Sequence, residues 1–439
     1  MGICSGKMKK KKKSIMLKQA FSLFAAVVMV TFAPAWAIGA EYKVIPSIGL
    51  AESYSDNLYL TPEHKVQSWI TTVVPGLALT GRSEKLDVNL SARGKIDYYM
   101  SRDDAALKDY YYYSGSDVGD DKSLNISQYL NGMVGYTITP RFRLTANAGW
   151  VTDYGSDRDI QQTGLVMGNY QRDRYSTGLN GTWNITEKLS MGTGYSFAQD
   201  DYHSDGMSNL TAHQASAWLY YILGPRTKAR LNASYGHFYF SDYIYYNPVT
   251  KVYIPVAERN ADSYSGTVGI EYQYHELWKI TADAGGSFAQ STYAGSSERN
   301  SSWGGVFRTA LEYNDLRNRL VLSFVYDVAP ASSSVGSGPV QRTAFIANAK
   351  RRLIYELSVL LSAGYYLNRA TATNSATVLG TEVNVETFRI SPALRYDFTK
   401  DIYLDLSYEY TDLHDRFLET NAKRNLVMLG LYAQWPYTW

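Results

Sequence analysis

The chain has 439 residues, among them 39 tyrosines and 34 glycines but only one cysteine. With 45% hydrophobic residues it lacks the long apolar runs of a helical membrane protein, and the composition is typical of a strand-rich chain. The formal charge of +2 falls to −5 once the seven lysines between positions 7 and 18 are set aside. A nucleic-acid partner is therefore not expected, because such proteins usually carry a basic face.

The first 40 residues have the three parts of a secretory signal peptide. A lysine-rich stretch precedes a short apolar core over 20–33, and Ala35-Trp36-Ala37 matches a small-residue cleavage site. A membrane anchor is the alternative, but its apolar core would need about 20 residues. We expect a signal peptide over 1–40, cleaved after Ala37 or Ala40, and a single barrel domain over 41–439.

Beyond the leader, the chain repeats long segments in which apolar and polar residues alternate. In residues 86–100 the even positions are mostly apolar and the odd positions mostly polar, and 142–150 and 402–410 follow the same period of two. This period indicates β-strands with one apolar and one polar face. Their length exceeds the average of about 5 to 6 residues in soluble proteins and suits a tilted membrane strand of roughly 9 to 11.

Short turns alternate with longer polar connections along the chain. The turns are predicted near 83–85, 139–141, 186–188, 224–226, 275–276, 314–315, 351–352 and 399–400, and the clearest long connections over 102–123, 244–259 and 370–382. Eight short turns and a strand at each end predict an all-β fold. It is a single transmembrane antiparallel up-and-down β-barrel of about 18 strands, with 16 as the fallback because the hairpins around 156–170 and 330–345 are weakly patterned.

The C-terminal segment alternates from Val427 to the terminal aromatic Trp439. This pattern resembles the C-terminal β-signal of outer-membrane proteins, with Trp435, Tyr437 and Trp439 as its aromatic residues. The resemblance implies recognition by the barrel-assembly machinery, export through the periplasm, and residence in the lipid of a bacterial outer membrane. Pro436 departs from a regular strand because it removes one ladder donor.

Catalytic chemistry finds little support in the sequence. The six histidines are spread singly along the strand pattern, and no His-x-x-x-His or paired-carboxylate motif predicts a metal site. His213 and His237 could lie on adjacent strands, but no nucleophile motif accompanies them. We expect no enzyme activity, no cofactor and no metal.

The polar faces of the strands supply the candidate functional residues, because a barrel of this size encloses a space that inward side chains line. Basic and acidic residues are balanced on the strands that alternate most clearly. This balance favours a pore for a neutral or zwitterionic polar solute over a strongly ion-selective pore. Alternatively, these charges pair across the wall and only stiffen it. The candidate lumen-lining residues are Arg93, Lys95, Asp97, Arg143, Arg230, Asp283, Arg389, Arg395, Asp405 and Glu409.

Tyrosines cluster in two of the predicted loops. Amphipathic rings can stack on sugars and hydrogen-bond at their edges, whereas tyrosines at strand ends usually form interfacial girdles. The candidate sugar-contacting aromatics are Tyr110, Tyr111, Tyr112, Tyr113, Tyr243, Tyr245 and Tyr246.

Two features carry a resemblance to a family. The first strand runs into Tyr54-Ser55-Asp56-Asn57-Leu58, and the hairpins contain Thr-Glu-Lys-Leu (186–189) or Thr-Lys-Asp-Ile (399–402) turns. In these the chain resembles the outer-membrane β-barrel porins that accompany exopolysaccharide synthesis and export systems. The resemblance implies a barrel that works with a periplasmic polysaccharide-export protein.

The leading functional expectation is accordingly a conduit for polysaccharide or oligosaccharide export. One alternative is a general diffusion porin for small polar solutes. A second is a structural or adhesive barrel with an occluded lumen.

Overall fold

The computed structural model describes residues 41–101, 124–154, 171–203, 207–247, 252–294, 299–330, 339–370, 383–417 and 419–438. The predicted signal peptide lies outside these residues. No helix in the described part of the chain is long and apolar enough to cross a membrane.

The alternating segments form the expected strands, most of them 13 to 17 residues long. In chain order they are β1 (Glu41–Ser55), β2 (Ser68–Arg82), β3 (Leu86–Ser101), β4 (Leu124–Thr139), β5 (Phe142–Tyr154), β6 (Gln171–Asn184), β7 (Leu189–Tyr202), β8 (Leu210–Gly224), β9 (Thr227–Phe240), β10 (Tyr243–Asn247), β11 (Val252–Val256), β12 (Arg259–His275), β13 (Trp278–Tyr293), β14 (Arg299–Asn314), β15 (Asn318–Pro330), β16 (Pro339–Arg352), β17 (Leu357–Ala370), β18 (Asn384–Asp397), β19 (Ile402–Asp415), β20 (Thr420–Gln434) and β21 (Tyr437–Thr438).

The long strands close into one antiparallel barrel. Each pairs with its neighbours in sequence, β9 pairs with β12, and the last long strand pairs with the first through Ser47 to Ser55 of β1. Setting aside the short β10, β11 and β21, the barrel has 18 strands, which confirms the predicted fold class. The strands flanking the weakly patterned 156–170 and 330–345 are regular hairpin partners, so the fallback of 16 is not needed.

One connection differs from the prediction. The segment 244–259 was expected to be an irregular polar loop, but β10 and β11 form a separate two-stranded hairpin there, with Tyr243 opposite Val256. Residues such as Val252, Ile254 and Val256 give this segment enough β propensity to pair locally.

The apolar face of the sheet is the outer surface of the barrel, because its large side chains remain exposed instead of packing together. Leu50, Leu231 and Leu429 are each about half exposed. Aromatic side chains follow one another from strand to strand, toward the loop ends in Phe288 beside Trp303 and at mid-strand in Phe324 beside Phe345, with ring centroids 4.6 Å apart in both pairs. We call this row the outer girdle.

Hydroxyl groups of the outer girdle point to polar groups nearer the loops. Tyr365 donates to Glu386 at 2.6 Å and Tyr410 donates to Asp412 at 3.0 Å. A second aromatic level lies nearer the turns, and Tyr264 and Tyr272 on β12 mark the two levels eight residues apart. At a rise of about 3.3 Å per residue and a tilt near 40°, this spacing corresponds to roughly 20 Å of membrane thickness.

A closed barrel whose apolar outer band lies between two aromatic levels satisfies its backbone hydrogen bonds internally, as a membrane requires. These features place the chain in the bacterial outer membrane, the location predicted from the sequence.

Short turns join the strands at one rim close to the predicted positions. In the turn after β14, Asp315 accepts hydrogen bonds from the Tyr313 hydroxyl, from the Asn318 side-chain amide and from the backbone N–H groups of Arg317 and Asn318. These donors stabilise the carboxylate and lower the pKa of Asp315 well below its ordinary value.

At the other rim, the segment that follows β1 closes the seam between the first and last strands. Asp56 donates its N–H to the Asn425 carbonyl at 3.2 Å, and its carboxylate accepts the Asn425 backbone N–H at 2.7 Å. Asn57 is fully buried and donates to the carbonyls of Thr61 at 2.8 Å and Lys423 at 3.0 Å. We call Asp56 and Asn57 the seam clasp, which lies within the Tyr54–Leu58 element of the sequence.

The seam clasp should contribute measurably to barrel stability. Substitution of Asn57→Ala leaves the Thr61 and Lys423 carbonyls without their side-chain donor, and each unsatisfied buried group costs about 1–3 kcal/mol. We expect the temperature at which the folded barrel unfolds in detergent, read from its heat-modifiable gel mobility, to fall by several degrees. Glu63→Ala, an exposed change in the same segment, is the matched control and should leave that temperature unchanged. Equal unfolding temperatures for both variants would contradict a role for the clasp.

Candidate functional site

The face of the sheet opposite the apolar one carries a nearly continuous set of polar side chains. Directly opposite residues of neighbouring strands share a face, so the register can be followed around the barrel. Arg143, for example, lies opposite Thr182, and Arg395 lies opposite Asp405. Followed in this way, one face, which we call the polar face, contains Arg93, Lys95, Asp97, Arg143, Arg230, Asp283, Arg389, Arg395, Asp405 and Glu409.

Most of these residues are paired across strands or along them. Lys95 lies 2.7 Å from Asp97, whose carboxylate also accepts a hydrogen bond from Thr72 at 2.6 Å. Arg143 forms an ion pair with Asp87. Since each pair joins opposite charges in close contact, these groups stiffen the wall and largely cancel each other's field.

Aromatic rings accompany several of the arginines on the polar face. The Arg93 guanidinium lies 4.7 Å from the centroid of the Tyr129 ring, and that of Arg395 lies 3.4 Å from the Tyr403 ring. Arg395 also donates to Asp397 at 2.9 Å. Cation–π contacts of this kind hold long side chains along the wall and limit how far they extend from it.

Four more of the candidate residues form two pairs on other strands. Arg230 and Asp283 approach to 3.6 Å between Nε and Oδ1, a loose contact compared with the others. Arg389 and Glu409 form a closer pair, and Glu409 is also bound by Arg424 at 2.7 Å. The sequence therefore grouped Arg389 and Glu409 correctly on one face but missed their third partner.

Arg172 is the most buried charged residue that the sequence analysis missed. Its side chain is only 2% exposed and lies 3.3 Å from Asp153 and 3.9 Å from Asp200, and Arg174 forms a further ion pair with Asp200. These residues occupy the loop ends of β5, β6 and β7, where the alternation runs into long polar connections. The alternation of apolar and polar residues could not separate strand from loop there. The Arg-x-Arg spacing of positions 172 and 174 is nevertheless a signal that both arginines share one face.

A distinct part of the polar face is uncharged. A cavity of about 390 Å³ lies against β5 to β9 and β12. We call it the polar trough. Its lining includes Asn147, Asn180, Ser196, Gln214, Ser216 and Ser234.

Glycines shape the floor of the polar trough. A Cβ atom at Gly194 would meet Asn180 Oδ1 at 2.4 Å, and one at Gly178 would meet Asn147 Oδ1 at 2.3 Å. The missing side chains let the asparagines lie flat along the wall. Amide and hydroxyl groups therefore cover the trough without projecting deeply from it.

The loop aromatics cannot be placed in this site. Tyr110, Tyr111, Tyr112 and Tyr113 lie outside the described residues. Tyr243, Tyr245 and Tyr246 belong to β10, which in the described part of the chain forms a two-stranded sheet with β11, separate from the barrel sheet.

The aromatic residues of the C-terminal signal are partly described. Trp435 is 48% exposed and donates its backbone N–H to the Pro46 carbonyl at 2.9 Å. Tyr437 is 59% exposed and lies opposite Val44. Trp439 lies outside the described residues. Pro436 falls in the break between β20 and β21, where no ladder bond is needed.

Two histidines lie on adjacent strands, as the sequence analysis allowed. His213 lies directly opposite His237, and His237 lies 2.9 Å from Asp262 on the next strand. All three are on the apolar face near the outer girdle, away from the polar face. Within the described residues, no group of three or more His, Cys, Asp or Glu side chains is arranged to hold a metal ion.

Comparison with known proteins gives distant structural likeness only. No family model matches the chain, and no curated protein matches it. OccAB4 of Acinetobacter baumannii is similar over 92% of this chain and 100% of that chain, at 10% identity and a TM-score of 0.44. OccK5 (OpdH) of Pseudomonas aeruginosa covers 90% and 98%, at 12% identity and a TM-score of 0.43. OpdK of Pseudomonas aeruginosa with vanillate covers 91% and 99%, at 10% identity and a TM-score of 0.45. A likeness this distant does not identify the function of the chain.

Proposed function

We propose that this outer-membrane barrel is a passive channel for small polar solutes, with the polar face lining a water-filled lumen. Barrels of 16 to 18 strands leave an aqueous channel. For 18 strands about 4.8 Å apart and tilted near 40°, the backbone cylinder is roughly 35 Å across. The ten predicted residues on the polar face are then the charged part of the lumen wall.

The observation that carries this proposal is the polar trough. The serine and asparagine side chains of the trough are too short to fill a cylinder of that width, and its glycines have no side chain. The long arginines elsewhere on the polar face are held along the wall by carboxylates and rings, as in Arg395 beside Asp397 and Tyr403. Space therefore remains between the walls, and polar groups on both sides favour water in it.

Liposome swelling tests the channel directly. Liposomes that contain the purified barrel, shown to be folded by its heat-modifiable gel mobility, should admit pentoses and hexoses. The swelling rates should fall as the sugar becomes larger, because diffusion through a fixed pore depends on solute size. Liposomes that stay impermeable to every sugar, although they contain folded barrel, would contradict the proposal and favour the structural or adhesive alternative with an occluded lumen.

Passage of oligosaccharide is the second candidate function, and one local arrangement favours it. Trp218 and Tyr220 lie on the polar face of β8, below the trough, with ring centroids 4.7 Å apart and planes 22° from parallel. Trp218 lies against Gly192, where a Cβ atom would come within 2.3 Å of the indole. A flat aromatic surface beside amide and hydroxyl groups matches the two faces of a sugar ring. Export of polymer with a periplasmic partner stays a prediction from the family resemblance.

Filling the trough should slow sugars in particular. Ser216→Trp adds a bulky ring beside Gly194 in the trough, and we expect several-fold slower swelling with trisaccharides and a smaller effect with pentoses. Ala217→Trp, one residue along on the apolar face, is the matched control and should behave as the unmodified protein. Equal trisaccharide rates for the two variants would show that sugars do not pass along the trough.

A further inference from the structure

Two clusters on the polar face, away from the turn rim, each contain two arginines and one carboxylate. In the first triad, Asp327 of β15 accepts from Arg308 of β14 at 3.2 Å and from Arg342 of β16 at 2.9 Å. In the second triad, Glu409 of β19 lies between Arg389 of β18 and Arg424 of β20. Each triad spans three neighbouring strands with the acid on the middle one.

The triads differ in charge from most other ion-paired groups of this face, although Asp87 at the turn rim likewise lies between Arg82 and Arg143. Lys95 with Asp97 and Arg395 with Asp397 are balanced, and the loop-end cluster of β5 to β7 has two arginines and two aspartates. The first triad instead has one positive charge more than its carboxylate neutralises. The sequence analysis found basic and acidic residues balanced on the clearly alternating strands. It missed this excess because Arg308 and Arg342 lie outside those stretches.

The first triad presents its excess charge to the enclosed space. The Asp327 side chain is only 7% exposed, whereas those of Arg308 and Arg342 are 47% and 30% exposed. Asp327 binds Nη2 of Arg308, and both Nε and Nη2 of Arg342. The acid is therefore covered by the wall, while the exposed parts of both guanidinium groups face away from it.

We propose that the first triad is a binding position for the oxyanion of a passing solute, a carboxylate or a phosphate, and that the channel conducts anions in preference to cations. The inference rests on the proposed channel function. Guanidinium groups present planar, paired donors that match such oxyanions. The buried Asp327 holds the two arginines at one height, so that a solute meets two guanidinium groups at once.

Reversal potentials in planar bilayers test the proposal. With a gradient of potassium chloride across a membrane that contains the folded barrel, we expect chloride to permeate better than potassium. Arg308→Gln removes the most exposed charge of the triad and should lower the chloride-to-potassium permeability ratio about twofold at low salt, with a smaller change at high salt because ions screen the charge. Asp327→Asn removes the acid and should raise the ratio by a similar factor.

Lys423→Gln is the matched control. It removes one positive charge from the apolar face, where Lys423 lies 3.5 Å from Asp412, and should leave the ratio unchanged. Conductance that prefers potassium, or equal ratios for Arg308→Gln and the unmodified protein, would overturn the anion site while the channel stands. If folded barrel, identified by its heat-modifiable gel mobility, shows no conductance at all, the proposed channel is overturned, and the anion site with it.

Discussion

The structure depends on one constraint, that no backbone N–H or C=O group can remain unpaired inside the hydrocarbon of a membrane. An open sheet has two unpaired edges, so the chain must return its last strand to its first. The ladder from Ser47 to Ser55 against β20 achieves this, and Asp56 and Asn57 continue the contact beyond the strands. An even number of strands then follows, since the first and last strands of an up-and-down barrel can pair antiparallel only if their number is even.

Closure also divides the side chains into two environments. The apolar face meets lipid and ends at aromatic levels whose hydroxyl groups reach polar partners, as Tyr365 reaches Glu386. The polar face is enclosed by the barrel, and its charges find partners mainly on the same strand or on neighbouring strands. Where the partners balance, the wall is stiff and nearly neutral. Around Asp327 two arginines share one acid, and this is the position that we propose binds anions.

Strand number, turn positions and the membership of the polar face could all be predicted from the sequence, because each depends on local alternation. The ion-pair and hydrogen-bond partners of these residues could not be predicted from the sequence. Arg172 meets Asp153 and Asp200, and Arg424 meets Glu409, only through the register between strands, which one chain does not display. The seam clasp is the strongest case, since it joins positions more than 360 residues apart, such as Asp56 and Asn425. The hairpin of β10 and β11 was missed because its strands are short and lie beside polar residues.

The division into two faces can be measured most directly by thiol labelling. The only cysteine of the chain, Cys4, lies within the predicted signal peptide, so introduced cysteines would stand alone in the mature barrel. With a membrane-impermeant maleimide and the barrel in liposomes, Ser216→Cys on the polar face should react readily, and Ala217→Cys, the next residue on the apolar face, should be protected by lipid. Protection of Ser216→Cys together with labelling of Ala217→Cys would contradict a water-filled lumen lined by the polar face.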